Sequence, residues 1–414
     1  MTETATAESS QKWRTRQIIM VIAAMIIEGL IGSFYYSSGI TSGLLFNEGN
    51  LSYTAIQTVI TVSTIVHAVV PAFAAMLAVK KSNMLVLTLG FILLLIGMIG
   101  TAVSTTFILL LLSYGIILSF GLSALSFGVI FGLISPLFNE KSAIIISAIF
   151  TVSSTVFCVL LAPGMQILTD AVGFTRMILI LGALFACLYP LCFLFAGKKE
   201  EKELATQKKE ANLKNELKQI LKSPMIYLLC GYFLVVGFLE GAGNHLYTGM
   251  ISHGISGLNA TISTDAVTIA SAAGALVAAV LVTRIRRKMQ FLSLLLIGFG
   301  LGTICLLLIN YTNVPLSVAI VSAVFFIISF AYPMQILLIR ARYPALLVGT
   351  VLCIVSIFPD IGKSISNIAG GVIFDAFGSF VPLVTIQSGC GIFFGLALLI
   401  FSIAERKRHK EALL

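Results

Sequence analysis

An acid and a base three residues apart, Asp360 and Lys363, stand in the stretch Phe358-Pro-Asp-Ile-Gly-Lys-Ser-Ile-Ser-Asn-Ile-Ala-Gly-Gly371, inside a segment that otherwise reads as membrane-spanning. A charge at the centre of a bilayer costs about 2.5–3.5 kcal/mol on insertion scales, so such groups persist only with partners or beside water. Residues three apart share one side of a helix, so Asp360 and Lys363 can pair, and Ser364, Asn367 and Gly371 continue the same narrow polar stripe. Pro359 removes a backbone donor and loosens the helix beside the charges. Groups of this kind could hold a small charged solute within the membrane. The plainer reading is a buried ion pair that fixes helix packing.

Two further acids, Glu28 and Glu240, fall near the centres of apolar segments, so three acids face one base. Desolvation favours the neutral form of a carboxyl group, and a proton is the cheapest neutraliser. Glu28, Glu240 or Asp360 would then be an exchangeable proton site, and a cationic substrate is the other solution. Each glutamate also reads as a protonated residue that bridges helices by hydrogen bonds. Tyr35, Tyr36, Asn244, Tyr247, Tyr332 and Gln335 could donate to a small anion, and His67 and His245 could relay protons. Any of these also reads as a helix-packing residue.

The elements that must position such groups follow from composition. With 414 residues, 58% hydrophobic, 10% charged and a mean hydropathy of +1.05, the chain is an integral membrane protein, long enough for about twelve helices of roughly 20 residues. The fold expected is all-α. The net charge of +9 does not point to nucleic acid, because the basic residues sit in loops that a membrane topology explains. With spans 1 to 12 at roughly 17–41, 53–79, 84–104, 107–134, 142–168, 175–197, 225–250, 263–282, 289–310, 315–339, 346–374 and 380–403, every Lys and Arg except Arg176 and Lys363 falls in the amino terminus, the loops after even-numbered spans, or the carboxyl terminus. By the positive-inside rule both termini are cytoplasmic, and the compact loops suit a bacterial inner membrane. The seven cysteines lie in apolar segments without ligand spacing, so no disulfide framework or metal set is expected. No phosphate-cradling Gly-x-x-x-x-Gly-Lys-Ser/Thr loop occurs, and nothing points to an enzyme or a cofactor.

An internal repeat divides the chain. Glu28-Gly-Leu-Ile-Gly32 answers Glu240-Gly-Ala-Gly243, with Tyr35 and Tyr247 at the same offset; Ala75-Met-Leu-Ala-Val-Lys-Lys81 answers Ala279-Val-Leu-Val-Thr-Arg-Ile285; Asp170-Ala-Val-Gly173 answers Asp375-Ala-Phe-Gly378. Two six-helix halves follow. The expected organisation is a tail 1–16, a bundle 17–197, a Lys- and Glu-rich cytoplasmic linker 198–223, a second bundle 224–403 and a tail 404–414.

Two six-helix halves, a long central loop and short basic turns after spans 2 and 8 resemble the major facilitator superfamily over nearly the whole chain. In that family's turn motif, Gly-x-Leu-Ala-Asp-Arg-x-Gly-Arg, Leu77, Ala78 and Lys80 fit here, but Val79 and Thr283 stand where the acids are expected. Within the family, Glu28-Gly29 is similar to the acid-glycine signature of monocarboxylate transporters. Tyr114-Gly115 with Ser119, Gly121 and Ser123 resembles the oxalate/formate antiporter branch, and so does a lysine in span 11. The resemblance implies that Glu28 and Glu240 face a central cavity and that Lys363 holds a carboxylate. The function expected is secondary transport of a small organic anion, a monocarboxylate first among them, by a monomer that uses proton coupling or anion exchange. A proton-driven exporter of cationic or lipophilic compounds and a non-transporting membrane sensor are the alternatives.

Overall fold

A computed structural model of the chain describes residues 2–134, 140–195, 222, 224–309, 314–342 and 345–411. The secondary structure is helical, with no strand among the described residues. Eleven of the described helices are long and apolar enough to cross a membrane. The remaining expected span, span 11, coincides with the helix Ala345–Phe377, which carries Asp360, Lys363 and Asp375. Apart from Lys222, the expected linker 198–223 lies outside the described residues. The chain is a multi-pass integral membrane protein.

Every third span is broken, where the sequence reads as one continuous run. Span 1 consists of Thr2–Tyr36 and Ser38–Asn47, interrupted at Ser37; span 7 consists of Pro224–Glu240 and Gly243–Ser252. Span 10 divides into Val314–Ile328 and Ala331–Arg342. Span 4 passes through a π-helix, Leu111–Leu118, and then breaks at Leu125 and Ser126 before Phe127–Ile134. The causes are local. Pro333 has no N–H to give the carbonyl four residues earlier, at Ser329, where span 10 parts. Gly241 and Gly243 bracket the break in span 7, where backbone entropy disfavours helix. Irregular backbone within a membrane protein persists where it is buried in protein or lines a cavity.

The repeat inferred at the outer ends of spans 5 and 11 has a conformational basis. The helices Glu140–Val172 and Ala345–Phe377 both stop at a glycine of positive φ, Gly173 at 84° and Gly378 at 63°. Each glycine N–H closes back on the carbonyl four residues earlier, at 2.8 and 2.7 Å. That left-handed cap suits a residue without Cβ.

By packing, the helices fall into two compact units. The first holds the chain up to Ser37 and from Val66 to the end of span 6; the second holds Ser38–Ile65 and span 7 onward. The segment Ser38–Ile65, early in the sequence, therefore packs among the late spans. Two glycines one turn apart make this possible: a Cβ on Gly39 would strike the backbone of Asn244, and one on Gly43 the ring of Tyr247. Small residues at this spacing let helices approach to backbone contact. Spans 7 and 11 meet in the same way. Gly237 abuts the carbonyl of Pro359, and Gly362 abuts that of Leu234. The second unit's core adds Leu229, Phe233, Val236, Leu292, Phe299, Ile328, Met334 and Val355, all buried.

Candidate functional site

The backbone contact of spans 7 and 11 brings Glu240 and Lys363 together. Lys363 Nζ lies 3.4 Å from Glu240 Oε2, with 32% of the lysine side chain and 10% of the glutamate exposed. Tyr332, just past the break in span 10, donates its hydroxyl to the same Oε2 at 2.6 Å. Glu240 is the last residue of the helix before the break in span 7. The acid, the base and the phenol thus come from three spans, two of them broken at that level. Asp360 is half-buried one turn before Lys363, and its backbone carbonyl accepts from Ser364 Oγ at 2.8 Å. The lysine's ion pair therefore joins two spans, whereas the spacing on one helix had suggested Asp360.

One turn further along the same two helices the contacts become neutral. Asn244 Nδ2 donates to Asn367 Oδ1 at 2.9 Å, His245 Nε2 lies 3.2 Å from the carbonyl of Ser366, and Gln387 Nε2 donates to Ser366 Oγ at 3.0 Å. Asn367 Nδ2 and Gln335 Nε2 are buried with no hydrogen-bond partner among the described residues. Unpaired buried donors are costly unless a solute or water completes them. Tyr247 is fully buried against Gly43 and serves the packing of Ser38–Asn47 on span 7. A cavity of about 50 Å³ beside His245, lined by Phe299, Phe325 and Phe380, touches neither Glu240 nor Lys363. It has room for about one or two waters.

In the first unit, Glu28 is 2% exposed and accepts from Ser154 Oγ of span 5 at 2.6 Å. Gly29 next to it lies against the ring of Phe157. The same pairing of first and fifth helices thus occurs in both units, with a neutral hydroxyl as partner here and a cation in the second. Ser154→Ala removes this donor from a buried carboxyl group, a loss of about 1–3 kcal/mol. The purified variant should melt several degrees lower, which a thermal-shift measurement reads; an unchanged midpoint would show that the bond adds nothing.

Tyr35 stacks on His67 with ring centroids 3.7 Å apart, and His67 Nδ1 lies 3.3 Å from Ser123 Oγ. Ser123 bonds back to the carbonyl of Ser119, and Ser119 Oγ donates to the carbonyl of Tyr114 five residues earlier, inside the π-helix. The π-turn sets the register of these serines, a device common at functional sites. Tyr36 is 58% exposed.

Several residues escaped the sequence reading. Asp265 in span 8 is 5% exposed, and no hydrogen bond or ion pair to it occurs among the described residues. It stood near the expected end of its span, where an acid reads as a boundary residue. Ser154 carried no signal of its own. Gly39 and Gly43 did, through their spacing.

A family model described as Major Facilitator Superfamily matches residues 15–366. No curated protein sequence matches the chain. Solved structures do. A crystal structure of nucleoside transporter NupG (D323A mutant) is 14% identical, with a TM-score of 0.73, over 93% of this chain and 99% of that one. The D-xylose-proton symporter is 15% identical, with a TM-score of 0.69, over 92% and 96%. A partially occluded inward-open form of the xylose transporter XylE from E. coli is 15% identical, with a TM-score of 0.67, over 94% and 98%. These likenesses concern the fold.

Proposed function

The chain belongs to the major facilitator superfamily, and from that premise we propose that it is a proton-coupled secondary transporter of a small organic anion. The observation that carries this reading is the Lys363–Glu240–Tyr332 constellation. Its lysine charge is met by Glu240, so a carboxylate solute and Glu240 compete for one ammonium group. A proton on Glu240 removes the competitor and leaves Lys363 for the solute. Tyr332 then has a neutral acid or the solute to bond. Release reverses the order, because a departing anion leaves Lys363 to draw Glu240 back to its charged form. Proton and anion travel together, and alternating exposure of the site, as repeat-built transporters perform it, completes the cycle. The donors of Asn367 and Gln335 support a polar solute. The distribution of Lys and Arg supports cytoplasmic termini.

A second reading is a neutral, hydroxyl-rich solute. It is favoured by the compensated charge of Lys363, which leaves hydrogen bonding as the main means of recognition. The similar fold of the nucleoside transporter NupG and the D-xylose-proton symporter also supports it.

Uptake into proteoliposomes, with and without an inward proton gradient, tests these readings. Monocarboxylates such as lactate or formate should accumulate several-fold only when the outside is acid, and excess pentose or nucleoside should not compete. Competition by the neutral solutes alone would select the second reading. Competition by organic cations alone would replace both with an exporter.

A further inference from the structure

The contacts of Ser38–Ile65 with the late spans form a lock on the side of the membrane opposite the termini. The helix of span 2 begins at Tyr53, and Asp375 at the end of span 11 receives its first amides: Tyr53 N–H donates to Oδ1 at 3.2 Å and Thr54 N–H to Oδ2 at 2.8 Å. A carboxylate on a helix N-terminus satisfies donors that have no partner within the helix and meets the positive end of its dipole. These partners lie 322 and 321 residues apart in the chain. The cap is therefore tertiary, whereas an ordinary helix cap is local.

The side chain of Tyr53 closes the second half of the lock. Its hydroxyl meets His245 Nδ1 at 2.9 Å, and both residues are buried. The other ring nitrogen of His245 faces the carbonyl of Ser366, which can only accept. Nε2 therefore carries the proton, Nδ1 accepts, and Tyr53 donates. Around this bond Phe46, Phe374 and Phe380 surround the Tyr53 ring at centroid distances of 5.4, 5.1 and 5.7 Å. Gly371 admits the backbone of Thr54, and Gly370 admits the ring of His245. His245 follows Asn244, and Ser366 lies one turn beyond Lys363, so the lock stands one helical turn from the ion pair.

The segment that is locked is set off by the break in span 1 at Ser37, where packing also passes from one unit to the other. We propose that Asp375 and the Tyr53–His245 bond hold Ser38–Ile65 against spans 7 and 11, and that parting of these contacts opens the side of the protein opposite the termini. The inference rests on the proposed topology and on alternating access.

The test places a cysteine at Ser42, which is fully buried beside Gly43, in a chain whose seven native cysteines are replaced. The rate at which a membrane-impermeant maleimide labels Ser42→Cys from each side of proteoliposomes reports opening. Asp375→Ala, at an exposed position, and Tyr53→Phe, which removes only the hydroxyl, should each speed labelling by about fivefold, the ratio that loss of one cap brings to a two-state equilibrium. A second reporter, Ser388→Cys, is buried in span 12 against Thr303 and should keep its slow rate. Unchanged labelling of Ser42→Cys in both variants would overturn the lock, and so would equal acceleration at Ser388→Cys, which would mean that the whole unit had loosened. Acceleration at Ser42→Cys only from the side of the termini would also overturn it, because the lock is placed at the opposite side. Faster labelling in a protein that moves no solute would support the lock and remove the transport reading.

Discussion

Lys363→Ala should lower proton-driven anion uptake by about 30-fold to more than 1000-fold. Truncating one partner of a hydrogen-bonded charge pair costs about 2–5 kcal/mol, at about 1.4 kcal/mol per tenfold. Part of that loss is the carboxylate of Glu240 left with only the Tyr332 hydroxyl, and with 32% of the lysine exposed the lower half of the range is the better expectation. Binding and stability can be separated. The double variant Lys363→Ala with Glu240→Ala removes both charges, so its melting temperature should return towards that of the parent while uptake stays lost. Glu240→Gln retains the lysine and cannot exchange a proton, so it should bind anion without dependence on pH. On the proposed coupling of proton and anion, uptake by the parent should rise as the outside becomes more acid. Full uptake in Lys363→Ala, or a flat pH profile in the parent, would remove the lysine from the mechanism.

The second large effect is steric. At Gly362 a Cβ would overlap the carbonyl of Leu234, and at Gly237 that of Pro359. Neither obstacle is a flexible side chain, so Gly362→Ala must push spans 7 and 11 apart along their whole contact. Overpacking of this kind costs about 1–3 kcal/mol in soluble cores, and here it also separates Glu240 from Lys363. We expect Gly362→Ala to abolish measurable uptake and to lower the yield of folded, monodisperse protein in detergent. Gly231→Ala, in span 7 with nothing near its Cβ position, should behave as the parent. Size-exclusion profiles and uptake of the two variants side by side decide the matter, and equal behaviour would refute the close contact.

Composition made the fold class legible, because 58% hydrophobic residues in long runs leave a bilayer as the only solvent that fits. Glu240, Tyr332 and Lys363 were legible as candidates because polar groups in hydrocarbon need a reason. Their mutual arrangement was not. Spacing on one helix offered Asp360 as the partner of Lys363, while the observed pair needs spans 7 and 11 at backbone contact, which two glycines on different helices produce together. The breaks in spans 1, 4, 7 and 10 were hidden for a related reason: hydropathy measures length and greasiness, and a helix interrupted for two residues is as apolar as a continuous one. Pro333 and the pair Gly241 and Gly243 were the local signs. The π-helix at Leu111–Leu118 had none.

The membership of Ser38–Ile65 in the late unit also bears on how the protein is made. Tyr53 is finished long before Phe374, Asp375 and Phe380 leave the ribosome, a delay of about 15 to 65 seconds at roughly 5–20 residues per second. Throughout that interval Phe46 and Tyr53 lack the rings of Phe374 and Phe380 that pack on them in the finished protein. The nascent first half is thus an incomplete object, dependent on lipid or on the insertion machinery for shelter. A gene cut between spans 6 and 7 should yield two pieces that survive only when both are synthesised in the same cell.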